Sequence, residues 1–514
     1  MITKLISKVL AERLKIVLPE IIHPDQKGCV PGRYIGENIR LIDDILYEIE
    51  EGNMPSSILQ LDQEKAFDRV EWQWLFKCLE NFNFGQRFIG YLKTMYKNSK
   101  SSVLTNGYQS KYFNITRGIR QGDSLSALLF IIQFEPLMRK IRKDASIKGI
   151  KLDLKNCNSS IDVKGCQYVD DSNSFLMDED SIKNFFKVIE KYEKASGSKV
   201  NISKTVCLMP NKKAREKTER NLQSLKLKIK PGPEKVLGVL LGKCPDNSKG
   251  FWDQKIDKMS SKLKVWRMRN LSYEGKVLLI RSLAMSQVMY AVEMKTIDES
   301  HIKRINDIIY EFLWSSKNIT IKREICFLPK SMGGLDVVNL QSLIKVKRVQ
   351  WILRFLKEGS DQNWAKLTEN YIRCLDNRFD IEFFSLKVTD STDIIEKSKI
   401  PLFYKECIKF FQLLMRIAKV RDDNEIIWNN DRFLFLNRPL SFPHWSKSGI
   451  KTVSDLYRNA NIDMPYLLRK LSTKSGFIFE IAKLKCIFFL QEQMKTSNHM
   501  LFWAEAKMPF YKLR

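Results

Sequence analysis

Hydrophobic and polar residues recur with two different periods along the first half of the chain, and these periods predict its helices and strands. Apolar spacings of three and four residues predict helices at the N-terminus, over Tyr34–Glu50, around Trp72 and over Leu125–Arg142. A short apolar run, Ser57–Leu61, predicts a strand that ends directly before an aspartate. The mixture of helical and strand periods predicts an α+β fold.

Two segments of alternating polarity predict β-hairpins. The first surrounds Asn106-Gly107, a dipeptide that suits a type I′ turn because both central residues need a positive φ. The second, Cys166–Leu176, alternates on both sides of the adjacent acids Asp170 and Asp171. We therefore expect acidic side chains at the ends of at least two strands.

The composition indicates a folded, strongly basic protein. With 514 residues, the chain is long enough for roughly three or four domains. Its 87 Lys and Arg against 59 Asp and Glu give a net charge of 87 − 59 = +28. A hydrophobic content of 44% argues against intrinsic disorder. The excess charge favours a nucleic-acid partner, although ribosome-associated and membrane-surface proteins are also basic.

Several classes of protein are disfavoured. The ten cysteines are scattered without a CxxC pair, which argues against a disulfide framework and a zinc knuckle. The longest apolar run, near Ala127–Ile132, is too short to cross a bilayer. Charges interrupt the apolar stripe of the first helix, unlike the unbroken core of a secretory signal. We expect an intracellular protein, in the nucleus or the cytoplasm, without a membrane partner.

The most informative acids are Asp62, after LQL, and Asp170-Asp171, after QYV. Hydrophobic segments flank both sites, and unpaired buried carboxylates are unfavourable unless a cation neutralises them. Carboxylate oxygens together with substrate phosphates are typical magnesium ligands. An isolated Asp-Asp pair is more often a surface turn, so the interpretation depends on the sequence around the acids.

The segments around these acids resemble the reverse transcriptases of non-LTR retrotransposons, the long interspersed element type. Asp62 is followed by Ala66, Phe67 and Asp68, and the acid pair by SGSKVNISKT and VLGVLLG. Between the two acid sites lies RGIRQGDSLSALLF. QKGCVPGR near the N-terminus, LSYEGK at 271–276 and HWSKSGIKTVSDL at 444–456 are also similar to that family. The resemblance covers nearly the whole chain and is densest over residues 1–245.

The resemblance implies an RNA-directed DNA polymerase with a right-hand fold. It would extend a DNA primer on an RNA template with deoxynucleoside triphosphates, using two Mg²⁺ ions or alternatively Mn²⁺. Residues 1–245 would form partial fingers and a palm with an antiparallel sheet. Residues 246–320 would form a helical thumb, and residues 321–514 a mostly helical C-terminal domain. The family usually has a further finger segment before the first helix, so the resemblance also implies an N-terminally shortened chain.

Site residues follow from the same resemblance, position by position. Asp62, Asp170 and Asp171 would bind the metal ions, and Lys204 would lie near the leaving pyrophosphate. Phe67 would exclude a ribose 2′-hydroxyl, although a core phenylalanine would have the same sequence. Those expected at the nucleotide are Phe67, Arg33, Arg120, Gln121 and Gly122. A surface arginine is an open alternative for Arg33, and a helix-start glycine for Gly122.

A basic helical stretch near residues 251–269 is the candidate contact for nucleic acid. Its basic residues include Lys255, Lys258, Lys262 and Arg269. Such a stripe is commonly a solvated helix face, but it can also follow a phosphate backbone. The resemblance favours the second interpretation, with the helix in the thumb.

Two other functions remain open from the sequence. A catalytically inactive remnant that only binds RNA would keep the same basic surface. A group II intron-type maturase would share the catalytic acids, but the C-terminal similarities favour the retrotransposon branch.

Overall fold

The computed structural model describes residues 2–154, 159–242, 245–315, 321–358, 362–375 and 394–417, with short segments between 434 and 462. The chain divides into two compact units. The first contains residues 1–154 and 158–248, and the second contains residues 155–157 and 249–514. Much of the predicted C-terminal domain, including most of 444–456, lies outside the described residues.

The first unit mixes helices and strands. Its helices are α1 (Ile2–Ile21), α2 (Ile35–Glu51), α3 (Trp72–Asn81), α4 (Gln86–Tyr96), α5 (Ser126–Lys143), α6 (Glu179–Ser196) and α7 (Lys212–Asn221). Its strands are β1 (Ser57–Leu61), β2 (Lys100–Ser101), β3 (Leu104–Thr105), β4 (Tyr108–Gln109), β5 (Phe113–Asn114), β6 (Ile150–Leu154), β7 (Ser159–Val163), β8 (Gly165–Tyr168), β9 (Asp171–Leu176), β10 (Val206–Leu208), β11 (Lys228–Lys230), β12 (Glu234–Val236) and β13 (Val239–Leu241).

A five-stranded sheet in the order β11-β10-β1-β9-β8 carries the predicted acids. Strand β1 is antiparallel to both of its neighbours, β10 and β9, and only the β10–β11 pair is parallel. The register pairs Leu61 with Ser172 and Tyr168 with Asp171. The end of β1 and the start of β9 are therefore adjacent in space.

The sheet is covered on both faces, which explains why β1 is almost continuously apolar. Leu59 and Leu61 belong to a core cluster with residues of α1, α3, α4, α5 and α6. Ile58 is also fully buried, and because side chains alternate along a strand it lies on the opposite face. Helix α2 contacts β8 and β13. A strand covered on two faces needs this continuous apolar run.

Several predicted elements are confirmed within one residue of their limits. The predicted strand is β1, and the helices predicted over 34–50 and 125–142 are α2 and α5. At the Asn-Gly turn, Asn106 has a φ of 48° and Gly107 a φ of 86°, as a type I′ turn requires. The second predicted hairpin is formed by β8 and β9.

The second unit is helical over most of its described residues. Its helices are α8 (Pro245–Arg267, of which residues 245–248 belong to the first unit), α9 (Tyr273–Leu279), α10 (Met285–Met294), α11 (Glu299–Trp314), α12 (Arg323–Phe327), α13 (Leu340–Glu358), α14 (Asn363–Arg373) and α15 (Leu402–Ile417). Two short antiparallel pairs join β14 (Leu434–Phe435) to β15 (Arg438–Pro439) and β16 (Tyr457–Arg458) to β17 (Asn461–Ile462).

One stretch of the second unit, Tyr273–Met294, has the length and apolar composition of a membrane-spanning helix. It consists of α9 and α10 joined by a π-helical turn over Ile280–Ala284. Val277, Val288 and Val292 from this stretch lie in the apolar core of the unit. These contacts are those of a helix packed in a protein core.

The core of the first unit can be tested with a large-to-small substitution. Phe185 on α6 is completely buried, so Phe185→Ala should lower the free energy of unfolding by about 3–5 kcal/mol. Urea denaturation measures the change. Phe113→Ala is the matched control, because Phe113 is 51% exposed and should lose almost nothing. Equal effects of the two substitutions would contradict the described packing.

Candidate active site

Asp62 and Asp171 occupy facing strand ends. Asp62 directly follows β1 and Asp171 begins β9, one position beyond the Leu61–Ser172 pair. Residues directly opposite in an antiparallel ladder place their side chains on the same face of the sheet. Asp62 is half-buried and Asp171 is exposed. The ladder therefore brings both carboxylates to one edge of the sheet, namely the edge where the last residue of β1 and the first residue of β9 meet.

Asp170 reaches the same edge from the turn between β8 and β9. Burial raises the pKa of Asp170, and the nearby Asp62 charge raises it further, although its own backbone N–H partly offsets this. Burial also raises the pKa of Asp171, followed by the charges of Asp170 and Asp62. The shared repulsion shows that the fold gathers the three predicted carboxylates into one negative region.

No basic side chain of the described residues forms an ion pair with these three carboxylates. Within the same residues, no three acidic, histidine or cysteine side chains group closely enough to hold a metal ion by themselves. The donors nevertheless fit magnesium, which is usually held by one or two carboxylates while water and substrate phosphates complete its coordination. Asp62 and Asp170, which are half-buried, are the best placed for this role.

The loop that carries Lys204 is attached to the backbone of Asp62. The Asn201 N–H donates to the Asp62 carbonyl oxygen at 2.8 Å. The Asp62 N–H donates to the Thr205 hydroxyl at 3.3 Å. Lys204 is exposed and forms no ion pair with any described residue. Its ammonium group is therefore free to meet an anionic ligand near Asp62.

Phe67 lies five residues beyond Asp62 and packs on the helical layer. Its ring stacks on Phe130 of α5 with a centroid distance of 5.0 Å. Its carbonyl oxygen accepts a hydrogen bond from the Ile119 N–H at 2.9 Å. The side chain is only partly buried, so it combines the packing of a core residue with a surface that a ligand can reach.

The segment Arg120–Gly122 precedes α5. The Gln121 amide donates to the Asp68 carboxylate at 3.2 Å, which links it to the segment after β1. Gly122 has a φ of 77° and open space where a side chain would project. Arg120 instead donates to the Met95 carbonyl oxygen at 2.8 Å, at the end of α4. In this arrangement the Arg120 guanidinium is engaged in holding α4.

Arg33 has a structural set of partners. Its guanidinium donates to four carbonyl oxygens at the end of α1 and the following turn, those of Pro19, Ile22, His23 and Gln26. Burial lowers the pKa of Arg33, partly offset by nearby carboxylates. Such a guanidinium caps the C-terminal carbonyl groups of a helix. The sequence did not reveal these contacts because the carbonyl groups belong to the backbone.

The predicted basic helix is α8, in the second unit. Ile256, Met259 and Leu263 face the core of that unit, whereas Lys258 and Lys262 are exposed. Neither of these lysines forms an ion pair with a described residue. The other two predicted contacts are Lys255, which lies 5.6 Å from the Phe251 ring, and Arg269, which lies 5.1 Å from the Trp266 ring.

One residue beside the acids was missed by the sequence reasoning. Gln26 is buried, and its side chain contacts the backbone of Val169, directly before Asp170. The only signal in the sequence is its place in QKGCVPGR, a segment similar to the family.

The first half of the chain matches a protein family model. Residues 1–241 match the family described as "Reverse transcriptase (RNA-dependent DNA polymerase)". The matched region contains Asp62, Asp170, Asp171 and Lys204, but it ends before α8.

Curated relatives extend the similarity beyond this region. The transposon TX1 149 kDa protein of Xenopus laevis is 29% identical over 429 residues, which cover 83% of this chain and 32% of that protein. The Pol polyprotein from the type-2 retrotransposable element R2DM of Drosophila melanogaster is 20% identical, over 71% of this chain and 34% of that protein. The chain thus spans about a third of the length of these relatives.

Among solved structures, telomerase from Candida albicans in complex with a telomeric RNA fragment is similar over 76% of this chain and 56% of that chain. The sequence identity is 13% and the TM-score is 0.36, which is too low to establish a common fold.

Removing one carboxylate should stabilise the first unit. The folded state raises the pKa of Asp170 above 3.8, so the folded carboxyl holds its proton to a higher pH than the unfolded one. This group therefore lowers stability as the pH rises through the window above 3.8. Asp170→Asn should raise the free energy of unfolding relative to wild type, and more at about pH 7 than at about pH 4. Urea denaturation in metal-free buffer measures the difference.

The control for this comparison is Asp153→Asn, at an exposed strand position. It should leave stability unchanged at both pH values. A destabilising effect of Asp170→Asn at neutral pH would show that the acids do not repel one another.

Proposed function

We propose that residues 1–241, which match the reverse transcriptase family and are similar to non-LTR retrotransposon proteins, copy RNA into DNA at the site formed by Asp62, Asp170 and Asp171. The observation that carries the proposal is the convergence of these carboxylates at one sheet edge, where burial and mutual repulsion raise the pKa of Asp170 and of Asp171. A site built to accept cations has this electrostatic signature.

Asp62 and Asp170 would hold the divalent cations, with Asp171 contributing from the exposed side, and the cations would supply charge stabilisation at the reacting phosphate. Bound cations of this kind stabilise the attacking and leaving oxygens of a phosphoryl transfer. The primer 3′-hydroxyl releases its proton to water and its oxygen bonds to the α-phosphorus of a deoxynucleoside triphosphate, while the bond from that phosphorus to the leaving pyrophosphate breaks. Lys204, whose loop is hydrogen-bonded to Asp62, stabilises the negative charge on the leaving pyrophosphate.

The remaining residues orient the substrates. Phe67 lies under the sugar of the incoming nucleotide, and Gln121 and Gly122 shape the pocket from the start of α5. The first unit supplies palm and partial fingers, residues 246–320 the thumb and residues 321–514 a C-terminal domain. The exposed lysines of α8 contact the phosphate backbone of the template–primer duplex, which the sheet edge cannot do because it is acidic.

Primer extension tests the proposal directly. The full chain should add deoxynucleotides to a DNA primer annealed to an RNA template when Mg²⁺ is present. Asp62→Asn and Asp170→Asn should each lower the rate about a hundredfold or more, because charge stabilisation at the reacting phosphate is lost. Asp153→Asn is again the matched control and should extend at the wild-type rate.

Two outcomes would contradict the polymerase. One is unchanged extension by Asp170→Asn. The other is no extension by the wild-type chain combined with RNA binding that weakens steeply with salt, which would indicate the catalytically inactive RNA-binding remnant.

Phe67→Ala should relax the choice of sugar. Without the ring, a ribose 2′-hydroxyl has room, so the kcat/KM for ribonucleotides relative to deoxynucleotides should rise about tenfold or more. This ratio is measured within one protein preparation, so it does not depend on the folded fraction. Phe88→Ala is the control, because Phe88 also stacks on a phenylalanine, at 5.3 Å from Phe84. An equal ratio in both variants would assign Phe67 to packing alone.

A further inference from the structure

A short segment of the chain, Asp25–Gly28, runs beside the end of β8. The Gln167 N–H donates to the Asp25 carbonyl oxygen at 2.9 Å, and the Lys27 N–H donates to the Gln167 carbonyl oxygen at 2.9 Å. These bonds join the segment to the outer side of β8 through a single parallel bridge between Gln26 and Gln167. The segment therefore ends against the turn that carries Asp170.

The side chain of Gln26 binds both backbone polar groups of the residue before Asp170. Its Nε2 donates to the Val169 carbonyl oxygen at 3.2 Å. Its Oε1 accepts from the Val169 N–H at 2.9 Å and from the Gly28 N–H at 2.8 Å. Gln26 is 2% exposed, so water does not compete for these bonds. The amide thus replaces a partner strand at a position where the sheet has none.

The bonds matter because the turn is held in an unfavourable conformation. Val169 has a φ of 58°, in the left-handed region that β-branched residues rarely adopt. Such a conformation persists only where the surrounding structure holds it. Gly28 contributes through its missing side chain, since a Cβ there would lie 2.5 Å from the Val169 nitrogen.

This turn sets the position of Asp170. The Val169 carbonyl group and the Asp170 N–H belong to one planar peptide unit, so a partner of the carbonyl oxygen also orients the start of Asp170. We propose that Gln26 is a positioning residue for DNA synthesis, whose amide fixes the Val169–Asp170 peptide and so holds the Asp170 carboxylate near Asp62. The inference rests on the proposed function, in which these two carboxylates hold the divalent cations.

Gln26→Glu distinguishes the donor function of the Gln26 amide from its acceptor function. A carboxylate keeps the acceptor oxygen for the Val169 and Gly28 N–H groups but has no donor for the Val169 carbonyl oxygen. The expected result is a loss of kcat by about tenfold to a hundredfold with an unchanged KM for the template–primer, and a higher Mg²⁺ requirement. Gly28→Ala should give the same kinetic pattern, because it displaces the same turn without altering the amide.

The matched control is Gln133→Glu. Gln133 is fully buried in the same unit, and its Oε1 accepts from the Tyr192 hydroxyl at 2.9 Å, a bond that a carboxylate retains. Gln133→Glu is the same amide-to-carboxylate change at a buried position that does not contact the Val169–Asp170 turn. The thermal unfolding temperature should fall in both glutamate variants. The loss of kcat and the higher Mg²⁺ requirement should occur in Gln26→Glu alone.

Cation binding to the full chain gives a readout that does not need catalysis. Mn²⁺ binding, followed by electron paramagnetic resonance, should weaken about tenfold or more in Gln26→Glu and in Asp170→Asn but not in Gln133→Glu. If Asp170→Asn weakens binding and Gln26→Glu leaves both binding and kcat at the wild-type level, the positioning role is wrong while the proposed function stands. If Asp170→Asn itself leaves Mn²⁺ binding unchanged, the proposed cation site is wrong, and the role of Gln26 is overturned with it.

Discussion

The first unit has to hold three carboxylates together at one edge of its sheet, although their charges repel one another. Asp62, Asp170 and Asp171 gather there without an ion-pair partner among the described residues, and burial and their charges together raise the pKa of the last two. Left to themselves, these groups would separate into water. The fold keeps them together because the strands that carry them are buried on both faces and cannot move apart.

The restraint comes from three parts of the chain that are distant in sequence. Strand β1 lies between β10 and β9, so its register fixes Asp62 relative to Asp171. The loop with Asn201 and Thr205 holds the backbone of Asp62. The segment with Gln26 holds the turn before Asp170. The repulsion at the acidic edge lowers the stability of the fold, and such a loss is typical of catalytic sites, where function and stability compete.

The two units differ in the charge of the residues that are proposed to act. The acidic edge belongs to the first unit, which coincides closely with the matched reverse transcriptase region. The exposed lysines of α8 lie in the second unit, where Arg304 of α11 binds Asp253 and Asp257 on a different face of the same helix. Lys258 and Lys262 are exposed and form no ion pair with a described residue. Exposed lysines on one helix face are a common contact for a phosphate backbone.

Local chemistry made much of this protein predictable from its sequence. The limits of β1, α2 and α5 and the Asn-Gly turn follow from apolar spacing and from φ preferences, which involve only neighbouring residues. The family resemblance identified the three acids, and the structure brings them together. Whether Phe67, Lys204 and the lysines of α8 act as proposed stays a prediction.

The tertiary structure decided which polar side chains serve the fold and which remain free. The sequence left Arg33 open between a ligand contact and a surface arginine and placed Arg120 near the nucleotide; in the structure both guanidinium groups donate to backbone carbonyl groups at helix ends. Nothing in the sequence marks Gln26 as a functional side chain, yet it contacts the backbone of Val169, 143 residues away. Backbone acceptors look the same at every position of a sequence, so the partner of a polar side chain is known only once folding has brought that backbone beside it.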